Sequence, residues 1–444
     1  MKYDVIVIGS GTGMHIVENA VNQGLKTALV DKGRAAGTCL NVGCIPSKLL
    51  IAAADRAIEI KESEKFGISS EIKNIDFERI IQYARVYIYP LTNNLHDSWK
   101  KSKDFDYYEG LGEFVSDYTL SVNGQEIKGD KIFIASGSRP KIPAIEGINE
   151  TKYITNEDIL NLDKLPKSLV IIGGGYIAAE YAHFFSAMGT EVTIVQKGDR
   201  MLQAEEPEVS KVVQDSLSER VKIILNKKPV KIERTDKKIV HLDDGEKIES
   251  EELLVAVGRD SNADLSKVEK TGVKTHNRGY IQTNEYLETS KKNIWAFGDA
   301  NGKAMFTHAA NEEASLAWHN AMVHKHSFDY SAVPHAVFSW PPIGSIGLTE
   351  VEAKMYYHVA VGKAKYNDVV KGSALREDRG FAKGIFDRET GNILGFHIVG
   401  PMAPTLIQEV ANAMQADKSI NLIAGMHIHP AMSELITSVL GNIS

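Results

Sequence analysis

The chain holds only two cysteines, Cys39 and Cys44, with four residues between them, in the segment GTCLNVGCIPSK at positions 37–48. The segment lies between a predicted strand ending at Asp31 and the Ala-rich run LLIAAADRAIEI, which is apolar at helical spacing. Pro46 suits the first turn of that helix, where its missing N–H costs nothing. Cys44 is thereby placed at a helix N-terminus, where the backbone dipole favours a thiolate. Lys48 follows at i+4, on the same face and one turn on. Gly37 and Gly43 permit a tight backbone, so Cys39 can fold back to meet Cys44. Two small buried hydrophobes would leave the lysine unexplained, and a zinc half-site would lack its second cysteine pair. A structural disulfide closing one short loop adds little to 444 residues. A redox dithiol accounts for the glycines, the helix start and the lysine together.

Two similar units stand around this segment. YDVIVIGSGTGMHIVENAVNQGLKTALVDKG reads strand, glycine turn, helix, strand. Gly9, Gly11 and Gly13 open the helix, so that backbone N–H groups and the helix dipole can meet a pyrophosphate. Asp31 ends the second strand at the distance of a ribose-binding acid. Met14 takes the place of the third small residue, which predicts looser packing of helix on strand. The pattern repeats about 165 residues later in SLVIIGGGYIAAEYAHFFSAMGTEVTIVQKGDR, where Gly173, Gly175 and Ala178 hold the small positions. Two such turns imply two dinucleotides. Gln196 stands seven residues after Gly189, where the first unit has Asp31 seven after Gly24. Lys197 follows, then Arg200. An acid there suits the free hydroxyl of NAD, whereas cations accommodate the phosphate of NADP. The reading leans to NADPH or to use of both; ordinary solvated loop charges are the alternative.

Elsewhere, residues 51–104 read as two helices separated by a loop around Phe66 to Asn74, with Pro90 expected to kink or interrupt the second. From about Tyr330, PHAVFSWPPIGSIGLTE and GNILGFHIVGP predict an antiparallel sheet with helices. The chain ends GMHIHPAMSELITSVLGNIS, where an imidazole held by a carboxylate could take a proton from a dithiol. Composition is that of an ordinary globular chain, 43% hydrophobic and 25% charged. A net charge of -7 gives no footprint for nucleic acid or anionic membrane. MKYDVIVIGSG reads as a first strand rather than a signal peptide, and no apolar run is expected to span a bilayer. Two cysteines in one redox motif suit a reducing cytoplasm.

GTCLNVGCIPSK resembles the active-site segment of the flavin-dependent pyridine nucleotide–disulfide oxidoreductases of class I, which include dihydrolipoyl dehydrogenase, mycothione reductase, glutathione reductase and mercuric reductase. The resemblance runs along nearly the whole chain, with motifs in family order. It implies an α/β fold with two Rossmann-like dinucleotide-binding domains, for FAD and NAD(P), and a C-terminal α+β dimerisation domain. The implied segments are 1–145 and 263–328 for FAD, 146–262 for NAD(P) and 329–444 for the interface. Cys39 would exchange with substrate, Cys44 would face the flavin, and Lys48 would lie beside the flavin nitrogen that accepts hydride. Glu180, in GGGYIAAE, would pair with Lys48. The turn at Gly9, Gly11, Gly13 and Asp31 would bind the adenosine half of FAD. ASGSRP, with Ser136 and Gly137, resembles the crossover out of the first flavin segment. LLVAVGRDSNADL, with Gly258, resembles the strand that closes the nicotinamide domain; Asn262 is kept and Ser261 replaces a proline.

Asp299 matches the aspartate that binds the ribityl chain. Met305, Thr307 and His308 match the start of a helix facing the flavin's pyrimidine edge, whose positive end stabilises negative charge. His429, Pro430 and Glu434 align with the family's His–Pro…Glu segment, giving His429 the base and Glu434 its orienting role. That segment reaches the partner's cysteines, so the implied assembly is a homodimer. The implied reaction is electron exchange between a nicotinamide dinucleotide and a small or protein-bound dithiol or disulfide, dihydrolipoyl dehydrogenase-like first. An NADPH-dependent reductase of low-molecular-weight disulfides comes second, favoured by Met14 and by Gln196 with Lys197. Mercuric reductase is disfavoured, because no cysteine follows Cys44 to hand on a soft metal ion. No resident metal, nucleic acid or membrane is expected. A flavoprotein binding module with idle cysteines is the alternative outside catalysis, and Lys48, Glu180, His429 and Glu434 speak against it.

Overall fold

The computed structural model describes residues 1–444. One sheet contains β1 (Lys2–Ile8), β2 (Thr27–Asp31), β3 (Asp106–Glu109), β4 (Gly112–Ser116), β5 (Thr119–Val122) and β6 (Gln125–Ile134). Its order is β3-β2-β1-β6-β5-β4, and Ile294–Ala296 joins as a seventh strand beside β6. Pairings among β3, β2, β1, β6 and Ile294–Ala296 are parallel, while β4–β5 and β5–β6 are antiparallel. Val5, Ile6, Val7 and Ile8 are all buried, as a strand covered on both faces requires. α1 (Met14–Asn22) lays Ile16, Val17 and Ala20 into the core. Met14 packs partly buried against this core, and the close approach of helix to turn is made one residue earlier. A Cβ on Gly13 would lie 2.1 Å from the Gly9 carbonyl oxygen and 2.8 Å from the Val7 side chain.

The redox segment is two helices, α2 (Gly37–Val42) and α3 (Cys44–Lys61), broken at Gly43. Within Gly37–Lys61 an 18-residue window reaches a mean hydropathy of 1.3, long and apolar enough by composition to cross a membrane, contrary to the expectation of no such run. The break at Gly43 and the packing of α3 in the interior assign the apolar face to the core instead. α4 (Phe77–Lys100) runs unbroken through Pro90, so the expected interruption is absent. Pro90 and Val86 both sit on the exposed side, where the Val86 carbonyl freed by the proline is open to water. Ile81, Ala84, Ile88 and Thr92 hold the inner face.

A second parallel sheet runs Val221–Leu225, Glu191–Gln196, Ser168–Ile172, Glu252–Val255. Its helix α5 (Tyr176–Met188) is buried at every position from Ala178 to Met188. A helix buried on every side belongs between layers, and α5 packs against both its own sheet and α3. α6 (Pro207–Ser218) flanks the same sheet. Ser138–Pro140 and Arg259–Ser261 pair antiparallel, joining the two chain crossings between the sheets. α7 (Thr307–Met322) then returns against α1. A five-stranded antiparallel sheet, Pro334–Val337, Ile343–Gly347, Ile393–Val399, Phe381–Asp387 and Val359–Lys365, completes the fold. Helices Ala403–Ala416 and Glu434–Gly441 cover it.

Candidate active site

The two sulfurs meet because α2 turns back at Gly43. A Cβ there would lie 3.0 Å from the Thr38 carbonyl oxygen and 3.2 Å from the Cys39 Cα. Both cysteines are free thiols, Cys39 half-buried and Cys44 open to a cleft. They are inequivalent. Cys44 is pulled down to about 6, first by the hydrogen bond from the Cys39 thiol, and also by Thr307 and the charge of Lys48, against the cost of desolvation. Cys39 is pushed up, first by that same hydrogen bond and then by burial. These opposite shifts favour the proton on Cys39 and the thiolate on Cys44. Its Sγ lies 3.5 Å from Thr307 Oγ1, at the N-terminus of α7.

Lys48 Nζ donates to both oxygens of Glu180, at 2.8 and 2.9 Å. Glu180 is only 4% exposed and also accepts from the Phe338 N–H at 3.0 Å. Lys48 lies 4.6 Å from the centre of the Phe338 ring. Three distant stretches, α3, α5 and the strand end after Val337, are thus tied at one buried carboxylate.

A cleft of about 1740 Å³ extends from Gly9 and Asp31 past Ser136 and Asp299 to Cys44 and Tyr176. Its walls fit a flavin dinucleotide. Gly9 has φ +101°, and a Cβ there would strike the Ala135 carbonyl oxygen at 2.1 Å, so only glycine brings the turn this close. A Cβ on Gly11 would meet only the Gly37 Cα, at 4.0 Å, and Asp31 is held by the N–H groups of Ser10 at 2.6 Å and Gly33 at 2.7 Å. Ser136 Oγ is buried in the cleft wall without a hydrogen-bond partner, an unmet polar group for a bound molecule to satisfy. Gly137, Met305, Thr307 and His308 line the same cleft. His308 Nε2 meets the Pro334 carbonyl at 2.7 Å, which turns its side chain away from a ligand role.

Asp299 hydrogen-bonds Ser138, and Arg259 Nε donates to that same hydroxyl at 2.6 Å.

The residues expected around the nicotinamide dinucleotide lie apart from this cleft. Gly173 has φ +115°, and a Cβ there would meet the Ala256 carbonyl oxygen at 2.2 Å; Gly175 is unobstructed and Ala178 is fully buried. Gln196 is turned inward, against Gly174, with Nε2 donating to the Arg200 carbonyl at 3.3 Å. Lys197 is exposed, while Arg200 donates to the Gln203 carbonyl at 3.0 Å. Gly258, with φ +119°, has open space around it.

His429 and Glu434 meet at 2.8 Å through Nδ1, and the Ala431 N–H donates to the other carboxylate oxygen at 3.1 Å. The imidazole hydrogen bond holds Glu434 below the usual carboxylate range. His429 leaves Nε2 free and its side chain is 69% exposed, whereas His427 has both ring nitrogens engaged, by Gly425 and Glu409. His429 is absent from the walls of its own chain's cleft.

Residues 3–314 match the family model described as pyridine nucleotide-disulphide oxidoreductase, and residues 333–440 match that family's dimerisation domain. The chain belongs to this family. The oxidoreductase is 34% identical over 460 residues to dihydrolipoyl dehydrogenase of Bacillus subtilis (strain 168), covering 98% of this chain and 96% of the relative. It is 33% identical over 464 residues to mycothione reductase of Mycobacterium tuberculosis (strain ATCC 25618 / H37Rv), covering 99% and 98%. Among solved structures, the Cu(II) complex of HOCl-induced flavoprotein disulfide reductase RclA from Escherichia coli matches with TM-score 0.89 and 28% identity, over 99% of each chain. The oxidoreductase is an FAD-dependent enzyme that works with a pyridine nucleotide.

Four features of the oxidoreductase's site escaped sequence reasoning: Thr307 as a partner of the thiolate, Phe338 at Glu180, Arg259 with Ser138 at Asp299, and Glu313. Glu313 is fully buried and accepts from the Gly298 N–H at 2.5 Å, fixing the turn that carries Asp299. Burial pushes its carboxyl up. A glutamate with helical neighbours gives no sign of this in sequence, although Gly298 at φ +63° marks the turn itself.

Proposed function

We propose that the enzyme acts as a homodimer that passes two electrons between a nicotinamide dinucleotide and a dithiol or disulfide substrate, through Cys39 and Cys44. The observation that carries this reading is geometric: the helix break at Gly43 turns Cys39 back toward Cys44, whose Sγ lies 3.5 Å from Thr307 Oγ1 at the start of α7. Bound FAD would supply the two-electron carrier between nicotinamide and cysteine pair. Gly9, Gly11, Gly13, Asp31, Ser136, Gly137, Asp299 and the start of α7 would hold it, within segments 1–145 and 263–328. Segment 146–262 would hold the nicotinamide and 329–444 the subunit interface.

In the reducing direction, Cys39 gives its proton to His429 and attacks a substrate sulfur, forming a mixed disulfide. The other substrate sulfur leaves as a thiol, taking the proton from the imidazolium. Cys44 then attacks Cys39, releasing the second substrate sulfur as a thiolate that takes a proton from the medium and leaving the Cys39–Cys44 disulfide. Glu434 orients His429 for these transfers. The base would come from the partner subunit, since His429 lines no part of its own chain's cleft. Support for the homodimer comes from exposed apolar groups: Met426 and Ile428 beside His429, and Tyr83, Tyr87, Leu91 and Leu95 at helical spacing on α4.

A dihydrolipoyl-type dithiol is the first substrate class, because it needs only an apolar approach and the His–Glu pair. NADPH-driven reduction of a small disulfide is the second. The inward turn of Gln196 and the exposure of Lys197 support a site tolerant of a 2′-phosphate. The test is steady-state turnover of dihydrolipoamide with NAD and NADP, beside reduction of small disulfides by NADH and NADPH. Negligible dihydrolipoamide oxidation, with efficient NADPH-driven disulfide reduction, reverses the order. Lys197→Ala should raise KM for NADPH roughly two- to fivefold and leave NADH unchanged, the scale of one exposed cation against phosphate.

A further inference from the structure

α7 begins at Thr307 beside Cys44 and ends in a turn carrying His319, after which the chain continues VHKH. Twelve residues separate Thr307 from His319, about 18 Å along the helix, so the far end of α7 lies well away from the sulfurs. Three imidazoles gather there. His319, His324 and His326 each offer a ring nitrogen, and the three nitrogens lie within 4.8 Å of one another. His324 Nε2 and His326 Nε2 are 2.7 Å apart, and the ring centres of His319 lie 4.5 Å from His324 and 5.2 Å from His326.

The cluster is built rather than incidental. Asn320, 8% exposed, accepts from the His326 N–H at 2.8 Å and donates to the carbonyls of His326 at 2.9 Å and Tyr286 at 3.0 Å. It thereby clamps the loop that carries two of the rings onto the helix that carries the third. Lys325, between them in sequence, is drawn off to Glu288 at 2.8 Å, so its charge does not oppose a cation at the rings. His319 Nε2 is buried without a hydrogen-bond partner. No carboxylate belongs to the group.

We propose that His319, His324 and His326 bind one borderline divalent transition-metal ion, of the Zn²⁺ and Cu²⁺ class, at a site separate from the redox cysteines. Imidazole nitrogens suit these ions, and three of them leave a fourth position for water. Bonds of about 2.0–2.1 Å in a tetrahedral shell put ligand nitrogens about 3.3 Å apart. The His324–His326 contact must therefore open by roughly half an ångström and the wider spacings must close. His324 and His326 are exposed, so their rings can turn without disturbing the core. The spacing H-x4-H-x-H at a helix end is the sequence signal, a short histidine tract of metal-binding character.

The test uses FAD-loaded enzyme with Cys39 and Cys44 oxidised to the disulfide, so that no thiolate competes. Calorimetric titration with Zn²⁺ in a non-chelating buffer should give one ion per chain. The double variant His324→Ala/His326→Ala should weaken binding at least a hundredfold while keeping the flavin spectrum and dithiol turnover. His276→Ala, an exposed histidine elsewhere, should bind as the parent does. Cu²⁺ bound at the site should give an electron paramagnetic resonance spectrum with nitrogen ligation that the double variant loses. Absence of saturable Zn²⁺ binding in the parent, or unchanged binding in the double variant, overturns the proposal.

Discussion

Lys48–Glu180 and His429–Glu434 are the same contact in opposite surroundings. Each is a base meeting a carboxylate at 2.8 Å. Glu180 is buried, bonded also by the backbone of Phe338, and tied to three distant stretches of chain. His429 stands with 69% of its side chain exposed, on the last turn before a surface helix. Separating the first pair strands a charge in the interior, which is costly. Separating the second leaves the imidazole in water and Glu434 partly solvated with the Ala431 N–H, at little cost. One pair is therefore part of the fold as well as the site. The other does nothing for its own chain's stability, and its free Nε2 has no target in its own cleft. Equal geometry thus says little about role until burial is added.

The largest effects should fall on the two sulfurs. Cys39→Ser and Cys44→Ser should each lower dithiol–disulfide turnover by roughly 10⁴-fold or more. They should differ in spectrum: the reduced Cys39→Ser enzyme keeps the long-wavelength absorbance of a thiolate beside oxidised flavin, and Cys44→Ser loses it. The reverse result would exchange the roles of the two cysteines.

Next comes the exposed pair. His429→Ala should lower turnover by about 10²–10⁴-fold, the usual worth of a positioned acid–base group. Its denaturation midpoint should match the parent's. Mixing inactive Cys39→Ser subunits with inactive His429→Ala subunits should restore part of the activity, because a heterodimer holds one intact site. No recovery after demonstrated subunit exchange would put the base in its own chain's site and remove half of the contrast.

Lys48→Met addresses the buried pair. It leaves Glu180 uncompensated except for the Phe338 N–H, and should cost about 3 kcal/mol of stability by denaturant titration of the FAD-loaded enzyme. If Lys48→Met and His429→Ala proved equally stable, burial would not distinguish the pairs.

How far the sequence reads depends on how local each feature is. The glycine turns, the cysteine segment and the internal repeat are contiguous patterns, and the fold class follows from them. Lys48 and Glu180 lie 132 positions apart, and their meeting is legible only because GTCLNVGCIPSK and GGGYIAAE are each long, specific strings. Phe338, Arg259 and Glu313 belong to no such string; they arrive through long returns of the chain, which periodicity does not report. The interruption expected at Pro90 is absent because a solvent-facing proline leaves its unpaired carbonyl to water, so the helix can continue past it. The histidines at the end of α7 were visible as letters, but the clamp by Asn320 that gathers them was not.

The smallest expected effect is a shift in one titration, and it links the two pairs to the thiolate. Cys44 lies at about 6, below an ordinary thiol, so it is a thiolate above that pH and protonates as pH falls through it. The hydrogen bond from Cys39 is the largest cause, and the charge of Lys48 is a lesser one. In the reduced enzyme, the long-wavelength absorbance should therefore fade on acidification with a midpoint near 6. Cys39→Ala should move that midpoint upward by about one to two pH units, since a hydrogen bond to the charged form is lost. Lys48→Met should move it upward by less, because the attraction of a half-exposed cation is weaker. His429→Ala should leave it in place if the exposed pair acts only on substrate and on Cys39. A midpoint that moved with His429 and stayed put with Lys48 would mean that the exposed pair, and not the buried one, sets the charge on Cys44.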